Sequence, residues 1–493
     1  MKHIFLVIFD LNIKKGGKTT SLLTRAKIFN DYGIETDIVT FDYKSNYKEI
    51  TNELRKINKL DSKTKVHNQF YFFEEKSLVQ IKSENNINEL YQKIVRDNIS
   101  IKKNENEFEI FSYKTGEHIA HLKYKNNNKD FILDMYDNNY RIKRIYSVEN
   151  WIRRVKEFDI NNIFKAETFY NRKGQPFIRR VINENTKAIE DIYLLSENKH
   201  FKNNKEFGSY FLDNLIEDNS NNIIICDGTG SLDKIINLTN TSIQKYAVMH
   251  TTHKTPEGKI KKVEENVLNK SDELTGVVFL TQDYIDDVKI EYNIKNEYLI
   301  PNFIQEIPQD YAPSSKKIIG CISRIVEGKG FDLLLNVASI VKESNPEIEF
   351  HIYGEGSYKD KLKELIHSNN LEKNVKLFGY TTNPYETLKD FRCVISTSQS
   401  EVQSLSMVEG MLAAKPIIAF DIKYGFSQFV FNNKNGYLIP NRDIKNMAQA
   451  VIDIMEDDKK YIDFGEESRR IVLNEFDPDS IVKQWLDVFN KNE

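Results

Sequence analysis

Cysteine is close to absent. Cys226, Cys321 and Cys393 are spread far apart in 493 residues, which argues against a disulfide framework or a spaced zinc motif and for a reducing, cytoplasmic setting. Long apolar runs are missing as well. No stretch approaches the ~18 residues needed to span a bilayer, so at most a peripheral association with a membrane face is expected. The opening MKHIFLVIFDLN is too short an apolar run, without a small-residue cleavage site, for a signal peptide; it reads as a first buried strand. Charge of one sign is not in excess either: 70 Lys+Arg stand against 73 Asp+Glu, a formal net charge of −3, and no nucleic-acid partner is expected. No GxGxxG fingerprint with its ribose-binding acid follows the first strand, and no Walker loop, which argues against a nicotinamide dehydrogenase.

What is present is a chain too long for one ordinary core, with two or three domains as the natural division. Residues 1–75 read as βα units, with Leu22, Leu23, Ala26 and Phe29 on one helix face. From 76 to 205 the texture changes. Apolar residues alternate at a period of two, as in Phe108/Ile110 and Phe131/Leu133/Met135, between polar turns such as KNNNKD and YDNN. That pattern predicts an antiparallel meander inserted between two regions of α/β character. Buried strands return in NNIIICDGTG, KYAVMHTTH and LTGVVFLTQ, and LIPNFIQEIPQDYAPSSKK reads as a linker. A second βα series follows from IIGCIS onward, with helices over 331–343 and 444–455. The last helix carries Ile481, Trp485, Leu486 and Phe489 on one stripe. The expected architecture is α/β: two Rossmann-like domains (1–75 with 206–302, and 303–479) facing a cleft, a β-meander domain inserted at 76–205, and a C-terminal helix, 480–493, rejoining the first domain.

Ligands of such folds bind at the carboxyl ends of the parallel strands. Gly16 and Gly17 lie between the first strand and the first helix, with Thr19, Thr20 and Ser21 as candidate caps. Glycine there lets a ligand approach the backbone, and the helix terminus favours an anion. The bland reading is a turn that uses glycine. Arg324 and Lys329 follow the strand IIGCIS, where a fork and a point charge suit a diphosphate, unless they belong to a solvated loop. In SEVQSLSMVE, Glu401 follows a strand directly and Glu409 falls inside an apolar helix starting near Leu405. Each is a solvated acid in the bland reading and a cleft acid in the functional one.

Taken in order along the chain, these elements resemble the retaining, metal-independent glycosyltransferases of the GT-B fold that carry an E-x7-E motif. KGGKTTS, CDGTGS, ISRIV, FHIYGEGS, STSQSE, LSMVE and NKNGYLI are similar to the α-glycosyltransferases that decorate wall teichoic acid in Gram-positive bacteria. The resemblance covers both Rossmann-like halves, and those enzymes also carry an inserted β-meander. It implies UDP-glucose or UDP-N-acetylglucosamine as donor, a polyol-phosphate polymer as acceptor, no metal or other cofactor, and a homotrimer assembled through the insert, which would also serve in acceptor binding. Gly16 and Gly17 would make room for the donor or acceptor, and Arg324 and Lys329 would neutralise the departing diphosphate. Glu409 would accept from the ribose hydroxyls, and Glu401 would sit by the donor sugar. His250 would approach the transferred sugar from the N-terminal side, with His253 as a second acceptor-side group. Backbone groups at Ser404, Leu405 and Ser406 would meet phosphate, and Tyr380 would lie beside uracil.

The chain departs from that pattern where Val402 and Ser404 replace family glycines, and at Phe426 and Gln428, which replace a proline and an acid. Donor identity is therefore open. Two rival readings stand beside the main one: an O-glycosyltransferase acting on Ser-rich surface proteins, and a non-catalytic sugar-nucleotide-binding paralogue that stabilises an active transferase.

Overall fold

Short runs of Ile, Val, Leu and Phe with no polar alternation can be buried only on both faces, which a parallel sheet flanked by helices provides. The strands His3–Val7 and Asn222–Cys226 meet this condition, with every position but His3 buried. A computed structural model describes residues 2–80, 87–125, 129–138, 140–149, 151–217, 221–304 and 313–492. Residues 305–312 of the linker, 126–128 of the KNNNKD turn and Asn139 of the YDNN turn lie outside the described residues.

Two parallel sheets form. The first has seven strands in the order Glu297–Leu299, Gly276–Phe279, Gln244–Met249, Asn222–Cys226, His3–Val7, Glu35–Thr40 and Val66–Asn68. The second has six: Val375–Gly379, Glu349–Tyr353, Ile318–Ile322, Cys393–Ser396, Ile417–Asp421 and Gly436–Pro440. Between the halves of the first sheet runs an antiparallel meander of ten strands, from Ile99–Asn104 to Lys199–Phe201, paired in sequence order. Its distal part has a core of its own around Tyr91, Ile110, Leu122, Leu133 and Ile145. Phe169, Phe177 and Ile178 of its proximal strands join the core of the parallel sheet.

The meander begins later than the change of sequence texture. Residues 69–80 and 87–96 are helical, and Tyr91, Ile94 and Val95 pack on the distal core. The helix Pro478–Lys491 returns to the first lobe. Trp485 and Phe489 are fully buried, and Trp485 meets Phe29 edge-on at 6.1 Å. The three cysteines are buried and free. Among the described residues no helix is long and apolar enough to cross a membrane.

Candidate active site

Parallel strands point their carboxyl ends one way, so the loops of each sheet collect on one edge, and the two edges face each other. The lobes touch across the cleft at several points. Thr252 and Ser400 hydroxyls lie 3.1 Å apart, and the Asn302 amide, whose side chain accepts from Ser21 within the first lobe, donates to Gln403 at 2.9 Å. On another rim Lys423 and Tyr424 both reach Asp287.

Lys329 and Glu401 form an ion pair at the centre of the second lobe's edge, each largely buried. Their meeting is built by backbone. The turn Glu327–Lys329 ends at Gly330 with φ +65°, where a Cβ would lie 2.1 Å from the Thr397 carbonyl. Glycine is required there by both the left-handed conformation and the close approach. The Gln399 amide donates to the Gly328 carbonyl at 3.1 Å and fastens the turn to the loop carrying Glu401. Arg324, on the same edge, is exposed and makes no side-chain hydrogen bond or ion pair among the described residues.

Glu409 lies one turn into the helix Leu405–Leu412. A little of its surface reaches solvent, but burial raises its pKa to about 7, against the lowering influence of Lys59 from the opposite lobe. Burial and then the Glu409 charge raise the neighbouring Tyr385 phenol. Lys59 also donates to the Tyr380 hydroxyl at 2.9 Å, and that hydroxyl donates to the Ile13 carbonyl at 3.3 Å. Tyr380 thus joins the second lobe to Lys59 and Ile13 of the first.

The first lobe contributes a buried relay. The neutral imidazole of His250 donates from Nε2 to Asp227 Oδ1 at 2.6 Å, and Arg25 donates to the same oxygen at 2.5 Å. Asp227 is fully buried; burial opposes its charge, but Arg25 and His250 outweigh it and hold its pKa below the ordinary carboxylate value. Burial lowers the His250 pKa despite Asp227, with Arg25 and Lys18 adding to the effect. The imidazole is therefore neutral near pH 7. With Nε2 used as a donor, Nδ1 is left to accept from a hydroxyl.

His253 corrects an expectation. It is fully buried, stacked on Tyr284 at 5.7 Å and edge-on to Tyr292, so it belongs to the core and not to the acceptor side. Gly17, with φ +53°, is itself the N-cap of the helix Lys18–Asp31, a place expected for Thr19, Thr20 or Ser21. A Cβ at Gly16 or Gly17 would meet nothing within 4 Å, so open space lies in front of both. Ser404 caps the helix Leu405–Leu412 without a side-chain bond, its hydroxyl 3.3 Å from that of Ser406. The amides of Leu405 and Ser406 have no acceptor among the described residues.

The chain is 39% identical, over 99% of its length and all of the relative's, to the poly(ribitol-phosphate) alpha-N-acetylglucosaminyltransferase of Staphylococcus aureus (strain COL). The chain belongs to the wall teichoic acid α-glycosyltransferases. Residues 303–471 match the family described as glycosyl transferases group 1. The poly(glycerol-phosphate) alpha-glucosyltransferase of Bacillus subtilis (strain 168) is 26% identical over 97% of this chain and 73% of that protein. Among solved structures, S. aureus TarM in complex with fondaparinux, alpha-GlcNAc-glycerol and UDP superposes with a TM-score of 0.94 and 38% identity, covering 99% of this chain and 100% of that one. The fold is GT-B, with the ten-stranded sheet inserted in the N-terminal half.

Two departures of this teichoic acid glycosyltransferase from the family pattern are buried. Val402 is 2% exposed and Phe426 1%, so both side chains are packed into protein. Sequence reasoning missed three groups. Asp227 sits in CDGTGS at a strand end, on the same edge as His250, and could have been found by that placement. Arg25 is a cation on an otherwise apolar helix face, itself a signal of a buried partner. Lys59 carries no such mark. Among the described residues His3, Glu35 and Asp37 gather as metal-ligand types, at the amino ends of their strands and on the edge opposite the cleft.

Proposed function

We propose that the chain transfers glucose or N-acetylglucosamine from the matching UDP-sugar to polyol-phosphate units of wall teichoic acid, retaining the α configuration and using no metal ion. The observation that carries this reading is one cleft with the Lys329–Glu401 pair and Glu409 on one wall and the His250–Asp227–Arg25 relay on the other.

In this reading the uridine ribose hydroxyls donate to Glu409, and the diphosphate lies against the free amides at Leu405 and Ser406, with Arg324 and Lys329 supplying positive charge. Lys329 rests on Glu401 in the free protein and gains a second anionic neighbour when the donor enters. The acceptor hydroxyl oxygen bonds to the anomeric carbon on the face from which the phosphate leaves. As the bond to the β-phosphate oxygen breaks, UDP departs with its electron pair, and the hydroxyl proton passes to that oxygen. Glu401 opposes the positive charge that develops on the sugar ring, and His250 Nδ1 accepts from a sugar hydroxyl. We further place the enzyme in the cytoplasm, at most peripheral to the inner membrane face, as a homotrimer joined through the inserted meander.

Glu401→Ala and Arg324→Ala each should lower transfer by about 10²–10³-fold, while Glu401→Ala still binds UDP in a calorimetric titration. Turnover near the wild-type rate in both variants contradicts the assignment.

A further inference from the structure

The carboxyl edge of the seven-stranded sheet carries a second cavity, of about 230 Å³, where the inserted meander docks on the first strands. Its wall takes Phe9, Phe41 and Tyr43 from the strand ends, Arg154 and Arg180 from the meander, and Lys234 from the helix Leu232–Ile236. Lys234 is the unusual member. It is 7% exposed, and its ammonium makes no hydrogen bond or ion pair among the described residues; the Phe41 ring centroid is 4.8 Å away. The neighbouring Asp233 is already engaged by Lys205, Lys270 and Asn266. The stem passes Gly208 so closely that a Cβ there would lie 2.3 Å from Lys234 Cδ. The helix Asn204–Leu215 therefore has glycine where the lysine threads through to the cavity.

The two arginines add to the positive charge. Both converge on one buried carboxylate, Glu167, with Arg154 Nε at 2.7 Å and Arg180 Nε at 2.8 Å. Each guanidinium keeps Nη1 without a partner on Glu167. Asp42, an acid on the cavity wall itself, is met by Lys44 at 3.2 Å. Two arginines thus share the single charge of Glu167, and Lys234 on the same cavity wall adds a third cation. The excess continues outward. Asp134, Arg144, Lys156, Glu167 and Arg180 are successive cross-strand partners on one rung of the meander, and Asp134 is matched by Arg144, leaving Lys156. Burying an ammonium without an acid is unfavourable unless something else satisfies it.

We propose that this cavity is an anion subsite that holds one phosphodiester group of the acceptor polymer, with Lys234 as its point charge and Nη1 of Arg154 and Arg180 as donors. It lies about 14 Å from His250, three strand spacings along the same sheet edge. A phosphate held there would fix which part of a long polyol-phosphate chain is presented to the cleft. The inference rests on the acceptor class proposed above.

The test uses the full chain with UDP saturating the donor site, and titrates inorganic phosphate and poly(ribitol-phosphate) separately. Lys234→Met is compared with wild type and with Lys361→Met, on the exposed helix Lys359–Ser368. Lys234→Met should bind both probes at least tenfold more weakly and raise the polymer KM at least tenfold, with no fall in Tm. Lys361→Met should match wild type. Equal affinity of Lys234→Met and wild type for the polymer overturns the subsite, even if free phosphate is lost. If wild type transfers no sugar, the transferase reading falls, and the polymer titration alone decides the cavity: tenfold loss supports it and equality refutes it.

Discussion

At pH 7 the Glu409 carboxyl is poised between its two charge states, because burial raises its pKa to about 7. A raised carboxyl pKa stabilises the fold only while the group is protonated. That stability is fully present below the ordinary value of 4.5 and is lost as pH rises through about 7. The displacement corresponds to about 3 kcal/mol. Glu409→Gln should therefore unfold later than wild type above pH 7, by up to that amount, and the two should converge near pH 4 in urea titrations. Ligand binding should run the other way, since only the ionised acid accepts freely from ribose hydroxyls. Uridine, which has no titrating phosphate, should bind wild type about tenfold more weakly near pH 6 than near pH 8, and Glu409→Gln with no such dependence. A flat wild-type profile would remove Glu409 from the ribose. The pair Glu401 and Glu409 was legible because a strand end and a helix start bracket it. Asp227 and Arg25 were not read as partners, because 202 positions separate them and only the fold brings the first helix beneath that strand end.

Among the elements, the helix Pro478–Lys491 supports the site from behind. The Trp485 ring is fully buried and lies 5.2 Å from the Arg25 guanidinium carbon, and Arg25 in turn holds Asp227. Trp485→Ala should cost about 3–5 kcal/mol in stability, and Trp485→Phe much less, both read from denaturant midpoints. Equal, small losses in the two variants would show that the helix is not anchored through this ring. The amphipathic stripe of this helix, and the helices at 331–344 and 444–456, could be read from spacing because their apolar faces recur every three or four residues. The period-two stretches likewise announced an antiparallel sheet. The helix at 87–96 and the end of the one at 69–80, beyond residue 75, fell within the stretch read as that sheet. A run such as QFYFFEEKSLV has aromatic residues that suit a strand as well as a helix, and only packing decides between them.

Over the whole molecule, the lobes are held together at the cleft rims. Asp287 remains ionised because Lys423 and Tyr424 outweigh the burial that opposes its charge, and it joins the first lobe to the loop after the strand Ile417–Asp421. Asp287→Ala should raise the KM for UDP-sugar several-fold, more than it lowers kcat, and enlarge the radius of gyration in solution scattering; neither change would show that this rim does not set the cleft. Such cross-lobe contacts lay beyond sequence reading, since nothing local marks Asp287 as a partner of residues over a hundred positions away. The most direct test of the account offers UDP-glucose and UDP-N-acetylglucosamine in turn, with poly(ribitol-phosphate) and poly(glycerol-phosphate) as acceptors, and reads the anomeric configuration of any product by NMR. The account predicts an α-linked sugar on a polyol hydroxyl from one of the two donors, lost in Glu401→Ala. A β-linked product, or no product from any of the four combinations, would contradict it.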